Sequence, residues 1–423
     1  MARGVRRTRR DGSLHVTGPL AGLRVIELCD ELGQLAGKLL ADMGADVIKV
    51  EPPAGSTARA IGPFVDDIPG PNRSLNFWYH NTNKRSVILD LESDAGAAAW
   101  KALVSTADIV IEDQSPGALD RLGLGHRSLL RGDSSLLPPP RIWCSITPFG
   151  QDGPWADFQA TDMTALALGG PMMMNGYDPT DAEGAPPIRG HGDQGYNTAC
   201  HYAVQGVLAA LLHRDRTGQG QHVDASMHEA LSSTTEVGLP YWFTKRVNVI
   251  RQTARHAAAT RSEPWLYLAN DERYALIFGV GRDNASWNKI KEWFQSEGFG
   301  LQFDEARFGE PAARQPARGT TEAAEILAEV GRFIAAHPAD EIYRGGQERR
   351  QSWGVVRAPD EALADPHWED RGFWVDITGE GRDDRPVRMP GAPYQFSETP
   401  WELRRPAPKL GEHTAEVLSE LPR

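Results

Sequence analysis

One segment of this chain concentrates residue types able to do acyl chemistry. From Gly190 to Leu231 it reads GHGDQGYNTACHYAVQGVLAALLHRDRTGQGQHVDASMHEAL. Asp193 is a carboxylate set among Gly190, Gly192 and Gly195. A carboxylate can attack a thioester carbonyl, giving a mixed anhydride and a free thiolate that re-form on a second acid. Small neighbours let the substrate carbonyl come close, and their backbone N–H groups can hold the oxyanion. An Asp in a glycine turn is also an ordinary solvent-facing turn residue, so residue types alone leave both readings open.

Other candidates are weaker taken singly. Asp162 opens the apolar stretch DMTALALGG, where an acid serves as a helix cap or first-turn residue and can also face a cleft. Asn81-Thr-Asn-Lys-Arg85 precedes a strand-like run, and Ser115-Pro-Gly-Ala-Leu-Asp-Arg121 follows another. Lys84, Arg85 and Arg121 are therefore candidate contacts for a phosphate-bearing ligand, or plain surface charges. His201, His213, His222 and His228 show no HExxH or CxxC-type partner, so no metal is expected. No GxSxG elbow is present.

These residues need a frame. Leu23–Leu28, Ala45–Val50, Arg85–Leu91, Ala107–Glu112, Arg141–Ile146 and His222–Ser226 read as strands. Gly33–Met43, Ala95–Ser105, Pro116–Leu122 and Ala199–Arg214 read as helices between them. Such alternation predicts an α/β fold with an open, mostly parallel sheet covered by helices. The turn after the first strand, Cys29-Asp-Glu-Leu-Gly33, lacks GxGxxG, so no nucleotide redox cofactor is expected. Beyond Pro240 short strands and amphipathic helices predict a smaller α+β domain. The tail from Phe373 returns to strand-then-helix and is expected to rejoin the first domain. The expected division is a basic arm at 1–17, a large domain at 18–225 and 372–423, and linkers plus the small domain at 226–371.

Bulk properties narrow the function classes. At 423 residues, two domains are expected. A net charge of −12 argues against a nucleic-acid partner. Three scattered cysteines fit a reducing cytoplasm without a disulfide framework. The five arginines within the first ten residues lead into no apolar core, so the start reads as a disordered arm, not a targeting signal. No apolar run reaches the ~18 residues of a membrane span.

Several motifs now add up. They include Gly18-Pro-Leu-Ala-Gly-Leu-Arg-Val-Ile-Glu-Leu28, the run LLADMGADVIKVEPP from Leu39 to Pro53, Asn81-Thr-Asn-Lys-Arg-Ser86, and Ser145-Ile-Thr-Pro-Phe-Gly150. Val207-Leu-Ala-Ala-Leu-Leu-His-Arg214, Thr217-Gly-Gln-Gly-Gln221, Asp365-Pro-His367, Arg371-Gly-Phe373 and Gly411-Glu-His413 follow in order. Together they resemble the class III CoA transferases, the group that includes formyl-CoA and carnitine-CoA transferases and α-methylacyl-CoA racemases. The resemblance implies a Rossmann-like sheet domain built from both chain ends, a smaller domain, and an interlocked homodimer. It implies CoA or acyl-CoA as substrate, a carboxylic acid as acceptor, and an aspartyl-CoA intermediate. It places CoA contacts at Asn83, Lys84, Arg85, Pro116 and Arg121.

The family's nucleophilic Asp precedes the apolar helix. Counting back from Gly206 without a gap puts that slot at Tyr196. Asp193 lies three residues earlier, about one helical turn, and is taken as the candidate nucleophile. A chain without the nucleophile, acting as a non-catalytic CoA-binding subunit of a larger complex, is the alternative. A racemase is disfavoured, because Thr161 stands where that branch has a His beside the position of Asp162, and proton removal and return need two acid/base groups.

Overall fold

The β-branched runs become strands, and all but the edge strand Gln221–Ser226 are buried on both sheet faces. The computed structural model describes residues 18–131, 141–236, 238–281, 283–314, 320–380 and 385–422. The basic arm expected at 1–17 lies outside them. Six strands, β1 (Arg24–Leu28), β2 (Asp46–Glu51), β3 (Lys84–Ile88), β4 (Ile109–Glu112), β5 (Ile142–Thr147) and β6 (Gln221–Ser226), form one sheet. Their order is β3-β2-β1-β4-β5-β6 and every pairing is parallel. Val25, Ile26, Val47, Ile48, Val110 and Ile142 are fully buried, as strands covered on both sides require. The expected α/β class and parallel sheet are both present.

On one face, Trp100, Leu103 and Val104 of the helix Asp94–Thr106 pack with Ile26, Ile48, Val110 and Trp143. The helix Gln34–Asp42 packs on the helix Gln194–Thr217, which also covers β5 and β6. That second helix buries Ala199, Cys200, Ala203, Val204, Val207, Ala210 and Leu211, a single stripe at helical spacing. It begins five residues before the expected Ala199.

The TGQGQ turn is explained by two close steric demands. Gly218 ends the helix at φ +74°, and its N–H donates to Arg214 O at 2.7 Å. At Gly220 a Cβ would stand 2.0 Å from Arg141 O, so the backbones of two neighbouring strands approach too closely for any side chain. Gly220→Ala is expected to destabilise the chain by roughly 3 kcal/mol. Denaturant unfolding of the purified variant checks this.

The described residues divide into two compact units. The first holds the chain up to Gly169, residues His191–Ser233 and Pro366 onward. The tail joins this unit but adds no strand to the parallel sheet. β10 (Trp374–Ile377) and β11 (Val387–Pro390) pair only with each other, as an antiparallel ribbon packed on Val65 and Trp78. The tail's helix, Thr414–Ser419, places Val417 in the sheet core.

The second unit holds Gly170–Gly190 and Thr234–Asp365. β7 (Leu266–Leu268), β8 (Tyr274–Ile277) and β9 (Trp353–Val355) form an antiparallel sheet. The helices Asn284–Ser296, Thr321–Ala336 and Ala339–Glu348 pack on it around Trp287, Phe294, Phe333 and Trp353.

Candidate active site

The strand order reverses between β1 and β4, and loops leaving a parallel sheet there diverge and open a crevice. A cavity of about 380 Å³ lies at this place. Asp30, Glu31 and Leu32 line it from the loop after β1, and Asp113–Pro116 and Arg121 from the loop after β4. Pro148 follows β5, and Tyr196 enters from the first turn of the helix Gln194–Thr217.

Two adjacent carboxylates at the end of β4 fix these loops. Asp113 accepts the N–H groups of Asp30 (2.9 Å) and Gly33 (3.0 Å), holding the turn after β1. Glu112 accepts the N–H of Gln114 at 2.8 Å, holding its own loop. Asp30 in turn accepts the Ser56 hydroxyl at 2.5 Å and the Thr57 N–H at 3.1 Å. Burial pushes Glu112 up to about 7. Burial, reinforced by the nearby Asp30 charge, does the same to Asp113.

A carboxyl with a raised folded pKa binds more protons folded than unfolded between the two values. The stability carried by that proton is full at low pH and is lost as the pH rises through about 7. Glu112→Gln, a permanently neutral substitute, is expected to gain stability relative to the parent by roughly 2 kcal/mol between pH 5 and pH 8. Urea unfolding of both proteins at the two pH values measures this, and an unchanged difference would refute it.

Asp162 is the cap of a helix other than its own. Thr161 caps the helix Asp162–Leu168. The buried Asp162 carboxylate accepts the N–H groups of Gly195 (2.6 Å) and Tyr196 (3.3 Å), the first turn of the long helix. The Gly195 N–H, expected as an oxyanion donor, is therefore already taken. Gly195 is small for a physical reason: a Cβ there would meet Asp162 Oδ1 at 3.0 Å.

Asp193 is the residue immediately before that helix, half-buried, and its side chain does not cap it. Gly192, ahead of it, has φ +81°. Asp193 sits close enough to Glu31 and Tyr196 to act on both electrostatically. Burial raises the Glu31 pKa, with Asp30 and Asp193 adding to the rise and a hydrogen bond from Thr57 opposing it. Burial also raises the Tyr196 phenol, keeping it a hydrogen-bond donor at neutral pH.

The three residues expected to meet CoA at the start of β3 have other partners. Lys84 is fully buried, 2.6 Å from Glu27 Oε2, and donates to Gln34 O and Asn81 Oδ1. Arg85 pairs with Asp46 (2.6 Å), Glu416 (2.9 Å) and Glu420 (2.7 Å). Asn83, at φ +65°, donates to Asp42 and accepts the Arg404 and Arg405 N–H groups. These contacts tie β3 to its neighbours and to the tail. Pro116 and Arg121 alone of the expected CoA contacts line the cavity.

Sequence reasoning missed Asp30, Glu31 and Asp113. The signal was in view, since acids follow both β1 and β4, but it has meaning only once the sheet is known to reverse between them. Among the described residues one triplet has metal-ligand spacing, Glu297, His337 and Glu341, and there Glu297 and His337 already pair at 2.6 Å. No described helix is long and apolar enough to cross a membrane.

Comparison with known proteins fits this frame. The sequence profile of CoA-transferase family III matches residues 20–414. The succinyl-CoA:(R)-benzylsuccinate CoA-transferase subunit BbsE of Thauera aromatica is 34% identical over 94% of this chain and 93% of its own. The succinate–glutarate CoA-transferase of Agrobacterium fabrum is 34% identical over 95% of this chain and 96% of its own. The crystal structure of a CAIB/BAIF family protein from Brucella suis superposes with a TM-score of 0.78 at 29% identity, covering 96% of this chain and all of that one. A parallel sheet that reverses beside an acid-lined cavity, in a chain matched over residues 20–414, identifies the protein as an enzyme of CoA-transferase family III.

Proposed function

We propose that the chain moves CoA from an acyl-CoA to a carboxylic acid through an aspartyl-CoA thioester on Asp193. The observation that supports this best is the cavity at the sheet reversal, lined by Tyr196 from the helix turn that follows Asp193. In this reading an Asp193 carboxylate oxygen attacks the acyl carbonyl, and the CoA thiolate leaves. The thiolate then attacks the Asp193 carbonyl, and the donor acid leaves as a carboxylate. The acceptor carboxylate repeats the sequence in reverse, restoring Asp193. The Tyr196 phenol replaces the engaged Gly195 N–H as oxyanion donor. Arg121 meets a CoA phosphate and Pro116 packs on the nucleotide end.

Relatives named for succinyl-CoA make that thioester the proposed donor, with dicarboxylic acids, including aryl-substituted ones, as acceptors. The enzyme would work in the cytoplasm as a homodimer. The test incubates the protein with succinyl-CoA and a panel of such acids, and follows new acyl-CoA by mass. Hydroxylamine trapping during turnover should mark Asp193. A reproducible mark elsewhere refutes the nucleophile, and no transfer to any acid refutes the activity.

A second reading is favoured by two observations. Tyr196 fills the ungapped nucleophile slot, and a relative at 34% identity is named as a subunit. A non-catalytic CoA-binding subunit would bind acyl-CoA without turnover and gain activity only with a partner chain.

A further inference from the structure

The second unit carries a basin whose charge opposes that of the chain. The protein as a whole has a net charge of −12. A cavity of about 270 Å³ is nevertheless lined by Lys289, Arg349 and Arg350, with Asp283 the one acid at its wall. Ser352 adds a hydroxyl, while that of Ser286 donates to Asp283 O at 3.1 Å. Ser286 and Lys289 lie three residues apart in the first turns of the helix Asn284–Ser296, and so share a face. The Asp283 carboxylate is committed to the helix, accepting the Ser286 N–H at 2.7 Å.

The backbone at Arg350 is the second observation. The helix Ala339–Glu348 ends with paired hydrogen bonds, Arg350 N–H to Gln347 O and Gln351 N–H to Gly346 O, both 2.9 Å. In such a terminus the residue at Arg350 takes a left-handed conformation, and glycine is the usual occupant. Here it is arginine, at φ +60°. Arg349 is also held, its guanidinium 4.2 Å above the Trp293 ring, bonded to Gly345 O at 2.8 Å and 3.7 Å from Glu348 Oε2. Among the described residues Lys289 and Arg350 have no carboxylate within ion-pair distance. An unfavourable backbone that carries a cationic side chain, beside two further cations and the Ser352 hydroxyl, points to an anion.

We propose that this basin binds a phosphate dianion. The group is either free inorganic phosphate or the phosphomonoester of a nucleotide. The proposal stands independently of the reading of Asp193.

Calorimetric titration of the full chain with inorganic phosphate, at constant ionic strength in chloride, tests it. Saturable binding is expected, weakened at least roughly tenfold in Lys289→Ala/Arg350→Ala. Adenosine 3′,5′-bisphosphate and dephospho-CoA form the other arms. One more bound equivalent of bisphosphate in the parent than in the double variant, with no such difference for dephospho-CoA, assigns a nucleotide source. Phosphate binding without that extra equivalent assigns inorganic phosphate. Arg350→Gly guards against a misfolded double variant: it should melt at a higher temperature without ligand and bind phosphate more weakly. No saturable phosphate binding, or binding unchanged in both variants, overturns the proposal.

Discussion

Asp193→Asn is expected to lower the turnover number for CoA transfer by roughly 10³-fold or more while leaving the melting temperature close to the parent's. The first half follows from chemistry. The proposed route makes and breaks two acyl bonds at this carboxylate, and an amide is not a nucleophile toward a thioester. The second half follows from the structure, because the cap of the long helix is Asp162 and not Asp193. The contrast with Asp162→Ala sharpens the test. Losing that cap should cost about 1 kcal/mol of stability and loosen the first turn around Tyr196, with a smaller loss of turnover. Parallel measurement of turnover and thermal unfolding in the two variants separates the roles. Near-parental turnover in Asp193→Asn would move the covalent step to another carboxylate, with Glu31, which lines the cavity, next in line.

Most of the frame was legible in the sequence because β-branched runs punctuated by helices determine a parallel sheet almost by themselves. The observed bounds of β1, β2, β5 and β6 fall within two residues of the sequence reading. The TGQGQ turn was legible as a motif, and the structure supplies its reasons: a left-handed helix end at Gly218 and a backbone approach at Gly220. What could not be read was which side chains meet across the fold. Lys84 and Arg85 look like surface cations in a loop, and only tertiary contact reveals the acids that claim them. Asp162 looked like a local cap, and its partner helix begins 32 residues later. The strand order is the largest hidden variable. Carboxylates after β1 and β4 become neighbours only because those strands are adjacent.

The same buried network supplies the second large effect. Glu27 lies fully buried between two ammonium groups, Lys49 at 2.9 Å and Lys84 at 2.6 Å. Each cation has a further tether, Lys49 to Cys29 O and Lys84 to Gln34 O and Asn81 Oδ1. Removing the one carboxylate they share leaves two buried charges facing each other. Glu27→Ala is expected to destabilise the chain by about 3–5 kcal/mol, since an uncompensated buried charge costs more than the pair contributed. Gly37 belongs to the same device: a Cβ there would lie 1.6 Å from Glu27 Oε2, so only glycine lets the helix Gln34–Asp42 seat over the carboxylate. Replacing all three charges at once, as Glu27→Leu with Lys49→Met and Lys84→Met, should recover most of the loss, because no charge is then left unpaired. The triple variant also decides what Lys84 is for. If Lys84 serves packing, the refolded triple variant should bind acyl-CoA like the parent, and binding weakened tenfold in a protein of restored stability would make Lys84 a ligand contact after all.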